Sequence, residues 1–129
     1  MPRSIDLTEA EWTLMEQLWG APGQTGRVLT DALHKQTGWA RSTTLTLLRR
    51  LTEKGAVRTE VRDGMHVYFP AVSREDAAAR QTRDLLGRVY HGSLSLLVSA
   101  MTREEALSKA EIDELYAILD EMEAKQGDA

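Results

Sequence analysis

After Gly55 the apolar residues of this chain stop recurring every third or fourth position and begin to alternate; beyond Val72 they return to helical spacing. Helices repeat their faces every 3.6 residues and strands every 2. The chain must therefore pass from helices to strands and back within a short span. In the alternating stretch Val57, Thr59 and Val61 are interleaved with Arg58, Glu60 and Arg62. Asp63-Gly64 supplies a turn, and His66 and Tyr68 alternate with Val67 and Phe69. This predicts a hairpin with one solvent-facing side.

Before the hairpin three helices are expected. Thr8 and Glu11 form a capping box, with Leu7 ahead of the cap able to staple onto Trp12. Trp12, Met15 and Trp19 then make one stripe, read as core, and Gly20 and Pro22 end the helix. "GAPGQTG" reads as a polar connector. Thr25 caps a second helix whose Val28, Leu29, Ala32 and Leu33 share a face, and Gly38 closes it. A third helix spans about residues 41–54, with Leu45, Leu48 and Leu51 directed at a core and Gly55 as its stop. Three short helices followed by a hairpin is the order of a winged helix-turn-helix, complete by residue 72. The fold class expected is mainly α with a small β-hairpin.

Residues 73–129 form a second region. Ser73 begins a helix reaching about Tyr90, His91-Gly92 interrupts it, and the short apolar segment "SLSLLVSAM" follows. Ser108 and Glu111 open a last helix in which Ile112, Leu115, Tyr116, Leu119 and Met122 recur at helical spacing. Amphipathic helices outside a finished domain need cover for their apolar side. With Leu97 of the preceding segment, these residues are assigned to a homodimer interface. The expected division is 1–72 for the winged unit and 73–129 for dimerisation.

Charge sharpens this division. The net charge of −4 conceals two unlike parts. Residues 35–62 carry seven basic side chains (Lys35, Arg41, Arg49, Arg50, Lys54, Arg58, Arg62) against Glu53 and Glu60. Residues 101–129 carry three basic and nine acidic residues. A basic contact surface joined to an acidic module fits a nucleic-acid partner better than the total suggests. The chain has no cysteine, which removes disulfides and thiolate metal sites. Its first residues lack the apolar core of a secretion signal, and no run reaches the length of a membrane span, so a soluble cytoplasmic protein without membrane insertion is expected.

The third helix carries the chemistry. Ser42, Thr43, Thr46, Arg49 and Arg50 crowd the side opposite its leucines, an expensive way to build a solvated face because threonine is a mediocre helix former. Hydroxyls can bond phosphates or base edges, threonine methyls can meet thymine methyls, and arginine can take guanine bidentately. Arg41, Ser42, Thr43 and Thr46 are therefore assigned to the major groove of double-stranded DNA and Arg50 to phosphate, with Arg49 included in the DNA-binding face. A surface for an acidic protein is the competing reading. On the hairpin, Arg58, Arg62, His66 and Tyr68 either lie against a phosphate backbone, reach a minor groove or finish a solvated edge, with Arg62 the preferred phosphate ligand and Tyr68 counted with it among the DNA-binding residues. Trp39 either supports the third helix or touches the backbone. His34, His66 and His91 lack metal-ligand spacing, "GAPGQTG" lacks the ending of a phosphate loop, and no catalytic arrangement presents itself, so no enzyme, metal or cofactor is expected.

The stretches "LTEAEWTLMEQLW", "GWARSTTLTLLRRLTEKGAVRTEVRDGMHVYFPAVSRED", "GSLSLLV" and "LSKAEIDELYAIL" together resemble the penicillinase-repressor family, the BlaI/MecI type of transcriptional repressor. The resemblance implies a dimer, each winged domain holding half of an inverted-repeat operator. It implies control of β-lactam-resistance genes, or of copper-homeostasis genes in a branch whose C-terminal cysteines this chain lacks. It further implies a membrane sensor protease as a partner, relieving repression by proteolysis in the dimerisation region. The matching bond is Ala100-Met101, where well-known members have Asn-Phe. Ala40 stands where relatives place a serine helix cap. A metal- or ligand-responsive winged-helix repressor is the alternative.

Overall fold

A computed structural model describes residues 6–104 and 107–127. The elements in chain order are α1 (Glu9–Gly20), β1 (Gln24–Thr25), α2 (Gly26–Thr37), α3 (Arg41–Lys54), β2 (Val57–Arg62), β3 (Met65–Pro70), α4 (Arg74–Val89), α5 (Leu94–Arg103) and α6 (Lys109–Gly127). They form two compact units, Met1–Thr82 and Arg83–Ala129.

In the first unit α1, α2 and α3 enclose a core of Leu14, Met15, Leu18, Leu29, Leu33, Leu47, Leu48 and Leu51, closed below by Ala56 and Val57 at the entry to β2. The capping box forms as expected: Thr8 Oγ1 accepts from the Glu11 amide at 3.2 Å, and the Glu11 carboxylate accepts from the Thr8 amide at 2.8 Å. Glu11 is nevertheless only 1% exposed, and Lys54 at the end of α3 reaches its carboxylate at 2.6 Å. Lys54 also donates to the Asp6 carbonyl. One cation thus ties the end of α3 to the start of α1.

The helical faces differ from the sequence reading in three places. On α1 the buried row is Glu11, Leu14, Met15 and Leu18, whereas Trp12 and Trp19 lie half-buried on a flank, edge to face at 5.1 Å. The aromatic pair lies toward the start of α4 instead, with Arg74 over the Trp12 ring. On α2 the buried residues are Leu29, Thr30 and Leu33, and Val28 is 50% exposed. On α3 Leu45 is an exposed flank residue, and Thr44, Leu47, Leu48 and Leu51 make the buried row. Leu45 and the Tyr68 ring close over Gly26, whose added Cβ would lie 3.9 and 3.7 Å from them.

The sheet has the order β1-β3-β2, one strand more than a hairpin. The connector "GAPGQTG" supplies it: Gln24 and Thr25 pair with Tyr68 and Val67, and the Gly23 amide donates to the Tyr68 carbonyl at 2.9 Å. Gly23 has φ 82°, which favours glycine, and a Cβ there would make a tight 3.3 Å contact with the Phe69 ring. Asp63 and Gly64, with φ 53° and 76°, make the tight turn. The hairpin does not have one wet side and one dry side. Val57 is buried on one side and Val67 on the other, while Thr59 and Val61 are exposed.

The first compact unit ends at Thr82, about two and a half turns into α4, later than the expected boundary after residue 72, because the start of α4 docks on α1. Arg74 pairs with Glu16 at 3.0 Å and lies over the Trp12 ring, Trp19 Nε1 donates to the Val72 carbonyl, and Gln81 donates to the Leu7 carbonyl. In the second unit His91 and Gly92 adopt positive φ and break the chain between α4 and α5, as the sequence suggested. Ser93 caps α5 and Ser108 accepts from the Glu111 amide at the start of α6. No side chain of α4, α5 or α6 is fully buried among the described residues.

Burial pushes the Glu11 carboxyl up, but hydrogen bonds from Lys54 and Thr8 outweigh it and leave the group below its ordinary value of 4.5. A depressed folded-state pKa means that the stabilisation is complete above the unfolded value and is lost as pH falls through the folded one. Lys54→Met should cost roughly 2–3 kcal/mol at pH 7, less than a fully buried pair because the lysine is partly solvated. Urea melts should show the difference from wild type shrinking as pH drops below about 4.5. An equal difference at pH 7 and pH 3 would contradict the assignment.

Candidate nucleic-acid interface

Helix α3 follows a turn set by Gly38, the αL residue that ends α2. Trp39, half-buried against the core, anchors that turn. Its carbonyl lies 3.1 Å from His34 Nδ1, which must carry the proton because a carbonyl only accepts. Its amide donates to Thr37 Oγ1. Of the two readings for Trp39, support of the helix is the one its packing and hydrogen bonds favour.

Because Thr44, Leu47, Leu48 and Leu51 face inward, helical geometry at about 100° per residue turns Ser42, Thr46 and Arg50 outward. Ser42, Thr43, Thr46, Leu47 and Arg50 line one shallow cleft, so the expected hydroxyl face does share a surface. Ser42 and Thr43 are exposed and Thr46 is half-buried. Arg41 is exposed and leaves the same helix end from the flank that carries Leu45. Ala40 is the helix cap, extended at φ −64° and ψ 153°, and provides no side-chain hydrogen bond to the first turn.

The basic side chains counted between residues 35 and 62 are not equally available. Arg49 pairs with Glu53 at 3.4 Å, Lys54 is engaged by Glu11, and Arg58 and Arg62 both pair with Glu60. Among the described residues Lys35, Arg41 and Arg50 have no ionic partner. On the hairpin, Arg62 is exposed beside the turn, where the sequence put it. Tyr68 differs: it is half-buried and packs against the core and the start of α2, away from the hairpin tip. The feature that sequence reading missed is Phe69, whose ring carries both Arg58 and Arg62, at 4.5 and 4.9 Å. Its signal was the cross-strand pairing of Arg58 with Phe69, which requires the register.

In the second unit Ile112, Tyr116, Leu119 and Met122 are exposed, Leu115 and Leu97 half-buried. Ala100 and Met101 lie inside α5 and not in a loose segment. Thr102 Oγ1 donates back to the Ser99 carbonyl at 2.7 Å within that helix. No cluster of three or more potential metal ligands occurs among the described residues, and no described helix is long and apolar enough to cross a membrane.

A helix-turn-helix whose second helix shows a hydroxyl and arginine face, backed by a three-stranded wing, defines the class: a winged-helix DNA-binding transcriptional regulator. A sequence model of the penicillinase repressor family matches residues 7–121, and the chain belongs to that family. It is 30% identical to the penicillinase repressor of Bacillus licheniformis over 94% of both chains. It is 26% identical to the methicillin resistance regulatory protein MecI of Mammaliicoccus sciuri over 91% of this chain and 95% of that one. Among solved structures it is similar to the monomeric form of BlaI from Bacillus licheniformis in complex with the blaP half-operator. That match has a TM-score of 0.53 and 26% identity, covering 59% of this chain and 93% of that one. The chain is a repressor and not an enzyme, as its family is one of non-enzymatic regulators.

Ala40→Ser should restore the missing cap. The extended cap geometry suits serine without rearrangement, and the gain expected is about 1 kcal/mol. Thermal or urea unfolding measures it; a serine variant no more stable than wild type would show that the first turn of α3 is satisfied in another way.

Proposed function

We propose that this repressor is a dimer that occupies an inverted-repeat operator, each winged unit inserting α3 into the major groove of one half-site. The observation that carries the reading is the outward row of Ser42, Thr46 and Arg50 on a helix whose opposite side is locked in the core. Arg41, Ser42, Thr43 and Thr46 contact bases; Arg50 and Arg62 hold phosphates, with Arg49 beside them. The structurally similar BlaI, solved with its half-operator as a monomer, supports one winged unit per half-site. The relatives named as penicillinase and methicillin-resistance regulators support β-lactam-resistance or related stress genes as the target.

Dimerisation belongs to the second unit. A helical unit with no fully buried side chain among the described residues of its helices, and with Ile118, Leu119 and Met122 each about half exposed, has not covered its apolar surface. A second copy of the same helices is the occupant that closes it. Relief of repression then needs only the loss of the tether. A dimer gains its second half-site contact at high effective concentration, an advantage of about 10²–10⁴-fold that disappears when the units separate. Cutting at Ala100-Met101 by a membrane sensor protease accomplishes this, provided α5 first unwinds to present an extended strand.

Two predictions separate these roles. Thr46→Ala should weaken binding to an operator duplex by roughly 1–3 kcal/mol while barely changing binding to random duplex. Arg50→Ala should weaken both and reduce the salt slope by about one unit. Anisotropy titrations over a range of salt measure this, and wild-type affinity in both variants would reject the DNA face. Leu115→Asp should dissociate the dimer in sedimentation, since an unpaired charge is costly to bury in an apolar seam. A variant that stays dimeric would move the interface elsewhere.

A further inference from the structure

The sheet register brings Arg58, Glu60 and Arg62 of β2 to the same side as Val67 and Phe69 of β3. Both guanidinium groups lie over the Phe69 ring, at 4.5 and 4.9 Å, and both bond to the one carboxylate between them. Arg62 reaches Glu60 Oε1 at 3.0 Å, and Arg58 takes Oε2. The two arginines thus converge on a single anion carried two residues from each, and Phe69 holds them in place. Phe69 is itself seated against Gly23, where an added Cβ would lie 3.3 Å from the ring. The cluster is a bidentate anion site already filled by the protein's own carboxylate.

We infer that Glu60 is an internal competitor for DNA phosphate, and that it sets the affinity of a single winged unit by occupying the two wing arginines in the free protein. The inference rests on the reading that the winged unit binds DNA. A guanidinium pair positioned for a carboxylate is equally positioned for a phosphate oxygen. Exchange of one for the other is feasible because all three side chains are solvent-accessible, and surface ion pairs of this kind are weak. The exchange still subtracts from binding, because the pairs must break and the displaced carboxylate stays near the backbone. A wing weakened in this way leaves one unit poorly bound alone and makes occupancy depend on the tether between two units.

The test uses full-length protein and anisotropy titrations over a range of salt, with an operator duplex obtained by selection and with random duplex. Glu60→Gln should tighten operator binding by roughly 3–30-fold, the effect of relieving two weak surface pairs, and steepen the salt slope by about one unit. Random duplex should tighten by no more than the operator does. In an Arg58→Ala/Arg62→Ala background the same substitution should give at most a small gain. Unchanged or weaker operator binding by Glu60→Gln overturns the inference, as does a full gain that survives without the arginines. The underlying reading is checked separately: wild-type operator binding that is sensitive to Arg50→Ala, together with no response to Glu60→Gln, rejects only the role of Glu60. Absence of wild-type binding to any selected duplex rejects both. Thermal melts should match for Glu60→Gln and wild type, since the side chain lies on the surface.

Discussion

The rotation of α3 about its own axis is held by four inward side chains, Thr44, Leu47, Leu48 and Leu51, and everything proposed for DNA depends on it. A helix turned by one position would bury Thr43 and present leucine to the groove. Three of the four are leucines packed with Leu14, Leu18, Leu29 and Leu33, and burying each contributes about 1.5–3 kcal/mol. Thr44 is the exception. Its methyl completes the row, but its buried hydroxyl has no hydrogen-bond partner among the described residues, a cost on the order of 1–3 kcal/mol. The core tolerates that cost because the three leucines around it are fully engaged. At the far end, Lys54 reaching Glu11 ties the helix to α1.

Rigidity therefore lies where recognition needs it. The turn before α3 is braced by Trp39 and His34, and the wing by the third strand β1. The second unit contrasts with this. Its helices have local caps but, among the described residues, no buried core of their own, so its order should depend on association. A stable reading head joined to the proposed dimerisation unit would give a repressor that can be inactivated without altering the surface proposed to read DNA. Glu60 fits the same economy of affinity, since a weak single unit makes the tether decisive.

The architecture was legible in the sequence because caps and period changes are local signals. Thr8-Glu11, Gly38, Gly55 and Asp63-Gly64 bound their elements within a residue or two. Faces were less legible. Leu45 and Leu47 are both leucines two positions apart, and only the packing partner decides which is buried. Trp12 and Trp19 look like core by hydropathy, yet the seam accepted the carboxylate of Glu11 because Lys54, 43 positions away, neutralises it. The third strand was invisible because two residues carry no period. The hydroxyl row of α3 could be placed on one side of the helix from spacing alone. Which cations stand free beside it could not, because Glu60 and Glu53 capture three of the arginines through contacts that composition counts only as charges.

The most direct test of this account uses the threonine methyls of α3. In full-length protein labelled at threonine, adding an operator duplex obtained by selection should shift the Thr43 and Thr46 methyl resonances strongly and give close contacts to DNA protons. The methyl of Thr44, between them in sequence and fully buried, should show no contact to DNA. Specific binding with Thr43 and Thr46 unmoved, or with Thr44 against the DNA, would contradict the orientation of α3 and with it the recognition surface.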